Sequence, residues 1–513
     1  RSSDSFALAG SKPTFLLFGL PQTLSDKEKV EISMILSRIL APEKDQEEDF
    51  KKDFLTKLSK NLYWVSLLKN INPDTKLKIQ SLKLKGIGFE ESTSRFYPEG
   101  SSSAHLLGFV GLNQRGEDQG YFGVEGFYNG ELKGVSGQIR QERDAFGLPI
   151  FFGKFLGNSG RNGKTLELNL DRSVQFITER TLKISLEKYG AKAASAVVID
   201  PKTGAIIAMA SYPNYNPLDY SQFPKEFYRN PVVADQYEPG STFKVFVMSA
   251  AMNEDLVKPD TTCDACSGPI ALGGFNLRTW DNKYFPNTSM TDVIIHSDNT
   301  GMVFVSKKLG LDKFYQYFQN FGFGKPTGID LQDEFSPELR PKTDWKEIDL
   351  ATASFGQGIA ITPIQMVMAV SAIANGGYLM EPHIVKRIID ENGSTFEIKP
   401  KQVRQVLKEN TTKLMTEMMV KAVEEGEAKF ARPKGFKVAG KTGTAQIPVA
   451  GHYDSDKTIA SFVGFAPADS PRFVMLVRFD QPSSSIFGAE TAAPTFFEIA
   501  KQLFMYYKIP PTE

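Results

Sequence analysis

The chain has 513 residues, of which 41% are hydrophobic and 12% aromatic, enough apolar side chain to bury large cores and too much for a disordered protein. The length favours more than one domain. Lys plus Arg total 60 and Asp plus Glu total 60, so charge gives no reason to expect nucleic acid or an anionic membrane surface as a partner.

No apolar run reaches the roughly 18 residues of a spanning helix, and stretches such as Phe15 to Leu20 are core-sized. No basic leader followed by a long apolar segment opens the chain. Residues 25–72 are predicted helical. Val30, Ile32, Met34, Ile35, Ile39 and Leu40 recur at helical spacing, as do Phe50, Phe54, Leu55, Leu58 and Leu62. Ser25 and Asp26 supply an N-cap signal. Residues 76–155, richer in Gly and short alternating runs, are predicted to be strands and loops. The polar, Gly-rich run from Gly157 to Gly163 reads as a linker. It sets the expected domains at 1–160 and 161–513.

Beyond the linker, 166–188 reads as a short strand and a helix. Ala193 to Asp200 and Ala205 to Ser211 are apolar, β-branched runs around the turn Pro201-Lys202-Thr203-Gly204, hence a hairpin. A helix-rich and loop-rich middle follows. Thr458 to Phe465 and Arg472 to Phe479 read as two further strands. Pro494 opens a last amphipathic helix to about Tyr507. Strands at both ends with helices between predict an antiparallel sheet with packed helices, in the α+β class. No repeat of fixed period occurs.

The two cysteines, Cys263 and Cys266, form a C-x-x-C. A redox pair, half a zinc site, a local disulfide and two inert loop thiols are all open readings. The chain has four His and none lies near this pair, so no metal and no cofactor is expected.

Three short patterns occur in order: Ser241-Thr242-Phe243-Lys244, Ser297-Asp298-Asn299 and Lys441-Thr442-Gly443-Thr444. Each alone is weak, because Ser66-Leu67-Leu68-Lys69 and Ser185-Leu186-Glu187-Lys188 also fit the first, Ser59-Lys60-Asn61 the second and Lys202-Thr203-Gly204 the third. Context separates them. Ser66 and Ser185 fall inside predicted helices, and Lys202 to Gly204 is a hairpin turn. Ser241 follows Glu238-Pro239-Gly240 and precedes an apolar helical run, so it should open a helix.

A serine there meets free N–H groups that favour negative charge on a reacting oxygen. Lys244 shares its helix face. As a base, Lys244 must be neutral at pH 7, a fall of roughly 3 pKa units or about 4 kcal/mol. Burial and a second cation, Lys441, can provide it. Ser297 is placed to relay a proton, and Asn299 to orient a substrate amide. Gly443 permits close backbone approach at an edge strand that a peptide could join. The N–H groups of Ser241 and Thr444 are oxyanion-hole candidates. Thr442 and Thr444 hydroxyls are candidates for a substrate carboxylate.

The ordered set is that of penicillin-binding proteins and class A β-lactamases. With Tyr237-Glu238-Pro239-Gly240, Phe355-Gly356-Gln357-Gly358, Thr362-Pro363, Arg95-Phe96-Tyr97-Pro98 and Gly120 to Glu125, nearly the whole chain resembles a class B penicillin-binding protein. Ala460 to Pro467 resembles the cell-division branch. The resemblance implies a pedestal domain followed by a transpeptidase domain built on a five-stranded antiparallel sheet flanked by helices. It also implies a structural Arg95–Glu125 ion pair.

On the same resemblance, Ser241 would attack D-alanyl-D-alanine, release D-alanine and pass the stem peptide to a neighbouring amine, with β-lactams acylating the same serine. Implied partners are peptidoglycan stem peptides, β-lactams, a membrane glycosyltransferase and division or elongation proteins. The implied location is the extracytoplasmic side of a bacterial membrane, on a single-pass anchor. A D,D-carboxypeptidase or a β-lactam-hydrolysing or -sensing protein would use the same motifs. The Glu-x-x-Leu-Asn expected of a class A β-lactamase is not found near 330–340.

Overall fold

The computed structural model describes residues 1–135, 138–140, 156–158, 160–449 and 452–512. Residues 141–155 of the expected strand-and-loop region and Ser159 of the expected linker lie outside them. The chain divides into two compact units, one of Ala7–Glu99 and one of Arg1–Phe6 with Gly100–Glu513. Arg95 and Glu125 therefore fall in different units.

In the smaller unit, β1 (Gly10–Gly19) is followed by helices α1 (Asp26–Leu40) and α2 (Glu47–Leu58), β2 (Val65–Ile71), α3 (Pro73–Ser81) and β3 (Ile87–Phe96). The strands form an antiparallel sheet in the order β2-β1-β3. Ser25 caps α1 in a capping box with Glu28, as the Ser25-Asp26 signal predicts. The expected helix does not run to 72. Val65 and Leu67 are buried and Ser66 and Leu68 half-buried, a strand alternation that exposed Lys69 and Asn70 interrupt before buried Ile71. Short apolar runs of this kind fit either periodicity, and here Val65–Ile71 pairs along β1. Ser66, one of the competing serines, therefore sits on a strand. The core gathers Leu17, Leu36, Phe54, Leu58, Leu67 and Ile79.

The larger unit places β4 (Thr165–Leu168), α4 (Arg172–Tyr189), β5 (Ala193–Ile199) and β6 (Ile206–Tyr212) before α5 (Lys244–Asn253), α6 (Met290–Ile295), α7 (Asn299–Asn320), α8 (Pro363–Ala374) and α9 (Glu409–Glu424). It ends with β7 (Ala439–Val449), β8 (His452–Ala466), β9 (Phe473–Asp480) and α10 (Ala492–Tyr506). Strands from both ends make one five-stranded antiparallel sheet, β6-β5-β9-β8-β7, the α+β architecture expected.

Alternation divides the sheet's side chains between two layers. Ala194, Ala196 and Val198 join Phe462, Val477 and Phe479 in a cluster with Val174 and Leu182 of α4 and with Phe496, Phe497 and Leu503 of α10. Helix α8 packs against β5, β8 and β9, and its first eleven residues are all buried. Thr362 caps α8 in a capping box with Gln365, and Pro363 is its first residue. In α5 every residue from Lys244 to Met252 is buried. Lys244, which begins this helix, is shut off from bulk water.

Candidate active site

The segment before α5 is a turn of 3-10 helix, Gly240–Phe243, that runs directly into it. Ser241 is thus in the opening turn, as its Pro-Gly context predicts. Gly240 has φ of 55°, the left-handed region that favours glycine. Two other segments clamp the turn. Gly240 N–H donates to Gly356 O at 3.0 Å, and a Cβ on Gly356 would collide with Gly240's backbone. Tyr237 and Ile361 exchange both backbone hydrogen bonds, at 2.9 and 3.0 Å, and Gly358 N–H donates to Glu238 Oε1 at 3.1 Å. The Phe355-Gly356-Gln357-Gly358 signature is therefore a brace for the Ser241 turn.

The third motif braces it from the sheet. Gly443 lies in β7, where an added Cβ would stand 2.5 Å from Ser461 Oγ, 2.8 Å from Thr242 Cγ2 and 3.0 Å from Pro239 O. Only a residue without a side chain lets the strand seat against the turn. The second motif comes from the turn between α6 and α7. Ser297 has φ of 56°. Asp298 caps α7, its Oδ1 accepting the N–H groups of Thr300 at 2.7 Å and Gly301 at 3.2 Å.

These elements bring two lysines to one hydroxyl. Lys244 Nζ donates to Ser297 Oγ at 3.2 Å, to Asn299 Oδ1 at 2.8 Å and to Ser297 O. Lys441 Nζ reaches the same Ser297 Oγ at 3.0 Å, and also Thr442 O at 3.3 Å and Thr442 Oγ1 at 3.2 Å. Lys244 is 0% exposed and Lys441 3%. Burial, and then the neighbouring Lys441 charge, push Lys244 well below the ordinary lysine value, against the opposing pull of Asp298 and Glu427. Burial also lowers Lys441, opposed by Glu427.

Ser241 lines a cleft of about 450 Å³ together with Ser297, Asn299, Thr442 and Thr444. Among the described residues its Oγ has no hydrogen-bond partner, whereas three acceptors take the three N–H directions of a protonated Lys244. A neutral lysine surrenders one of them and gains a lone pair. Thr442 Oγ1 contacts Glu427 Oε2 at 3.2 Å, and Thr444 Oγ1 accepts from Gly488 N–H at 3.0 Å, so both hydroxyls are oriented from within the protein. Asn299 Nδ2 donates to Arg278 O at 2.9 Å.

The cleft also contains residues that no motif marks. Arg278 and Trp280 belong to the loop region between α5 and α6, and Trp280 meets Phe487 edge-on at 5.6 Å. Glu427 follows α9 with nothing in the sequence to flag it. That loop region also holds Cys263 and Cys266, which form a disulfide, both fully buried. Among the described residues no metal-ligating cluster occurs and no helix is long and apolar enough to cross a membrane.

Of the competing motifs, Ser185 lies inside α4, and Lys202 to Gly204 forms the β5–β6 turn. Neither lines the cleft. The five-stranded sheet and three motifs converging on one cleft define a penicillin-binding transpeptidase module.

Comparison with known proteins agrees. The family model described as the penicillin binding protein transpeptidase domain matches residues 194–501, and the penicillin-binding protein dimerisation domain matches residues 1–168. Stage V sporulation protein D of Bacillus subtilis is 35% identical over 96% of this chain and 75% of its own. Peptidoglycan D,D-transpeptidase FtsI of Escherichia coli is 30% identical over 87% of this chain and 73% of its own. A peptidoglycan synthetase from Bifidobacterium adolescentis superposes with a TM-score of 0.79 at 26% identity, covering 100% of this chain and 95% of that one. Penicillin binding protein 3 from Mycobacterium, solved with aztreonam, gives a TM-score of 0.73 at 30% identity, covering 83% and 92%. The chain belongs to the class B penicillin-binding proteins, in their cell-division branch.

Proposed function

We propose that this peptidoglycan D,D-transpeptidase works through a serine acyl-enzyme on Ser241. Neutral Lys244 takes the Ser241 proton as Oγ attacks the carbonyl of the D-Ala-D-Ala bond. The N–H groups of Ser241 and Thr444 stabilise the oxyanion; losing one such donor typically costs about 100- to 1000-fold. The C–N bond then breaks. The departing D-alanine amine takes its proton from Lys244 by way of Ser297 Oγ, which lies within hydrogen-bonding distance of both lysines. Thr442 and Thr444 hydroxyls, with the Lys441 charge, hold the substrate carboxylate, and Asn299 orients the amide. An incoming amine repeats the sequence in reverse and frees Ser241.

The observation that carries the reading is the buried Lys244–Ser297–Lys441 array beside Ser241. Burial and the neighbouring Lys441 charge favour the neutral Lys244 that base catalysis needs. Penicillin turnover tests it. A stoichiometric burst followed by slow release is expected. Rapid repeated hydrolysis would point to a β-lactamase, and absence of a burst would remove the acyl-enzyme.

The family pattern further suggests an extracytoplasmic site held by a single-pass anchor outside the given sequence. It also suggests a membrane glycosyltransferase and division proteins as partners. The domain division at 160/161 goes with the same pattern.

A further inference from the structure

Behind the Ser297-Asp298-Asn299 turn lies a second pocket of about 270 Å³. Trp280 and Glu427 line both this pocket and the cleft. Ser297 faces the cleft while its neighbours His296 and Asp298 line the pocket. Its charged lining is Asp281, Lys283, His296, Asp298, Glu425 and Glu427. Lys283 is held by Asp281 at 3.4 Å, and the His296 ring is stacked on Phe285 at 4.8 Å. Lys283 is the pocket's one lysine and it is paired with Asp281, so Asp298, Glu425 and Glu427 have no Lys or Arg of the lining opposite them. On the cleft side, the buried Lys244 interacts with Asp298 and Glu427, and Lys441 with Glu427, so Glu425 alone of the three faces neither lysine.

Two further atoms point to a ligand. Asp298 is 2% exposed and Thr279 is 7% exposed. Among the described residues Asp298 Oδ2 and Thr279 Oγ1 lack a hydrogen-bond partner, although both residues line the pocket. Such groups are costly when unpaired.

We infer that this pocket receives the protonated primary amine of the acceptor peptide and delivers it past Glu427 and Trp280 to the Ser241 ester. The inference rests on the acyl-enzyme reading. The acceptor arrives as an ammonium and must lose two protons. One leaves to solvent past the pocket carboxylates, giving the neutral amine. Its nitrogen then bonds the acyl carbon as the bond from that carbon to Ser241 Oγ breaks. The second proton passes through Ser297 and Lys244 to Oγ. Three carboxylates attract an ammonium and exert no comparable Coulombic attraction on neutral water, the competing nucleophile. The pocket therefore biases the acyl-enzyme toward transfer over hydrolysis.

The test forms the acyl-enzyme from a D-alanyl thioester donor. It then measures transfer against hydrolysis by mass spectrometry, at sub-saturating concentrations of a synthetic stem peptide with a free side-chain amine. This ratio reads only steps after acylation. Glu425→Lys places a cation on the exposed lip and should lower the ratio about 10-fold, by like-charge repulsion. Glu427→Gln should lower it in the same direction, with the KM for the peptide raised. An unchanged ratio in both variants overturns the inference while leaving the acyl-enzyme intact. No acyl-enzyme in the wild type overturns the underlying reading, and the inference with it.

Discussion

The tripeptide Lys-Thr-Gly occurs twice in the larger unit, and the two copies do different work. At Lys202 to Gly204 it is the turn of the β5–β6 hairpin. Asp200 organises it, accepting Lys202 N–H and the Thr203 hydroxyl at 2.9 Å each. Lys202 is exposed. At Lys441 to Gly443 it is part of edge strand β7. There the lysine is buried, with its Nζ on Ser297, and the threonine touches Glu427. Even the glycines serve unlike ends. Gly204 is needed for its φ of 79°. Gly443 is needed for the room it leaves beside Pro239, Thr242 and Ser461. A short motif acquires chemistry from the elements brought against it.

Paired substitutions can break this contrast, and the largest effect is expected at the lysines. Lys441→Ala removes the charge that lowers Lys244 and a hydrogen-bond partner of the Ser297 relay, and should slow penicillin acylation by about 100- to 10,000-fold, the range for impaired proton-transfer catalysis. Lys202→Ala should leave it within about twofold, as for exposed side chains remote from the site. Stopped-flow labelling checks both. Comparable losses would erase the distinction.

The glycines come next. Gly443→Ala pushes β7 off the Ser241 turn, and misplacement of about 1 Å can cost about 100-fold in rate. Gly204→Ala should instead destabilise the fold by about 1–2 kcal/mol through a left-handed alanine, with acylation retained. Its added Cβ also meets Glu381 O, so the cost should lie at the upper end. Thermal melts beside labelling rates separate the two outcomes.

A smaller but more diagnostic effect is the pH profile. Lys244 is depressed below its ordinary value of 10.5 by burial and by Lys441. Its neutral form is therefore present at lower pH than for a free lysine. The acylation rate should rise with pH through a midpoint well below 10.5 and fall away on the acid side. Removing the neighbouring charge in Lys441→Met should move that midpoint upward. A midpoint that stays put would mean that burial alone sets it.

Much of this was legible in the sequence, for identifiable reasons. The hairpin, the two C-terminal strands and the last helix declare themselves through β-branched runs, turn residues and a proline in the helix's first turn, although the helix begins at Ala492, two residues before Pro494. All appear as β5, β6, β8, β9 and α10. The smaller unit was harder, because Val65–Ile71 is too short for periodicity to separate strand from helix. Its partner strand β1 lies far away in sequence.

At the site, the three motifs named the residues that converge. Glu427, Arg278 and Trp280 were invisible because no local pattern marks a loop residue that tertiary packing carries into a cleft. The Phe355-Gly356-Gln357-Gly358 segment was legible as a signature. Its role was not, since a glycine that closes on another glycine's backbone has no trace in one sequence. The cysteine spacing could not choose between thiols and a disulfide, and only the fold brings Cys263 and Cys266 together.

On the proposed mechanism, context and not the bare S-x-x-K pattern makes Ser241 the nucleophile. Labelling with a fluorescent penicillin, followed by peptide mapping, tests it most directly. The adduct should map to the peptide containing Ser241. It should vanish in Ser241→Ala and persist in Ser66→Ala and Ser185→Ala. An adduct that survives in Ser241→Ala, or that maps to either of the other two serines, would contradict the account.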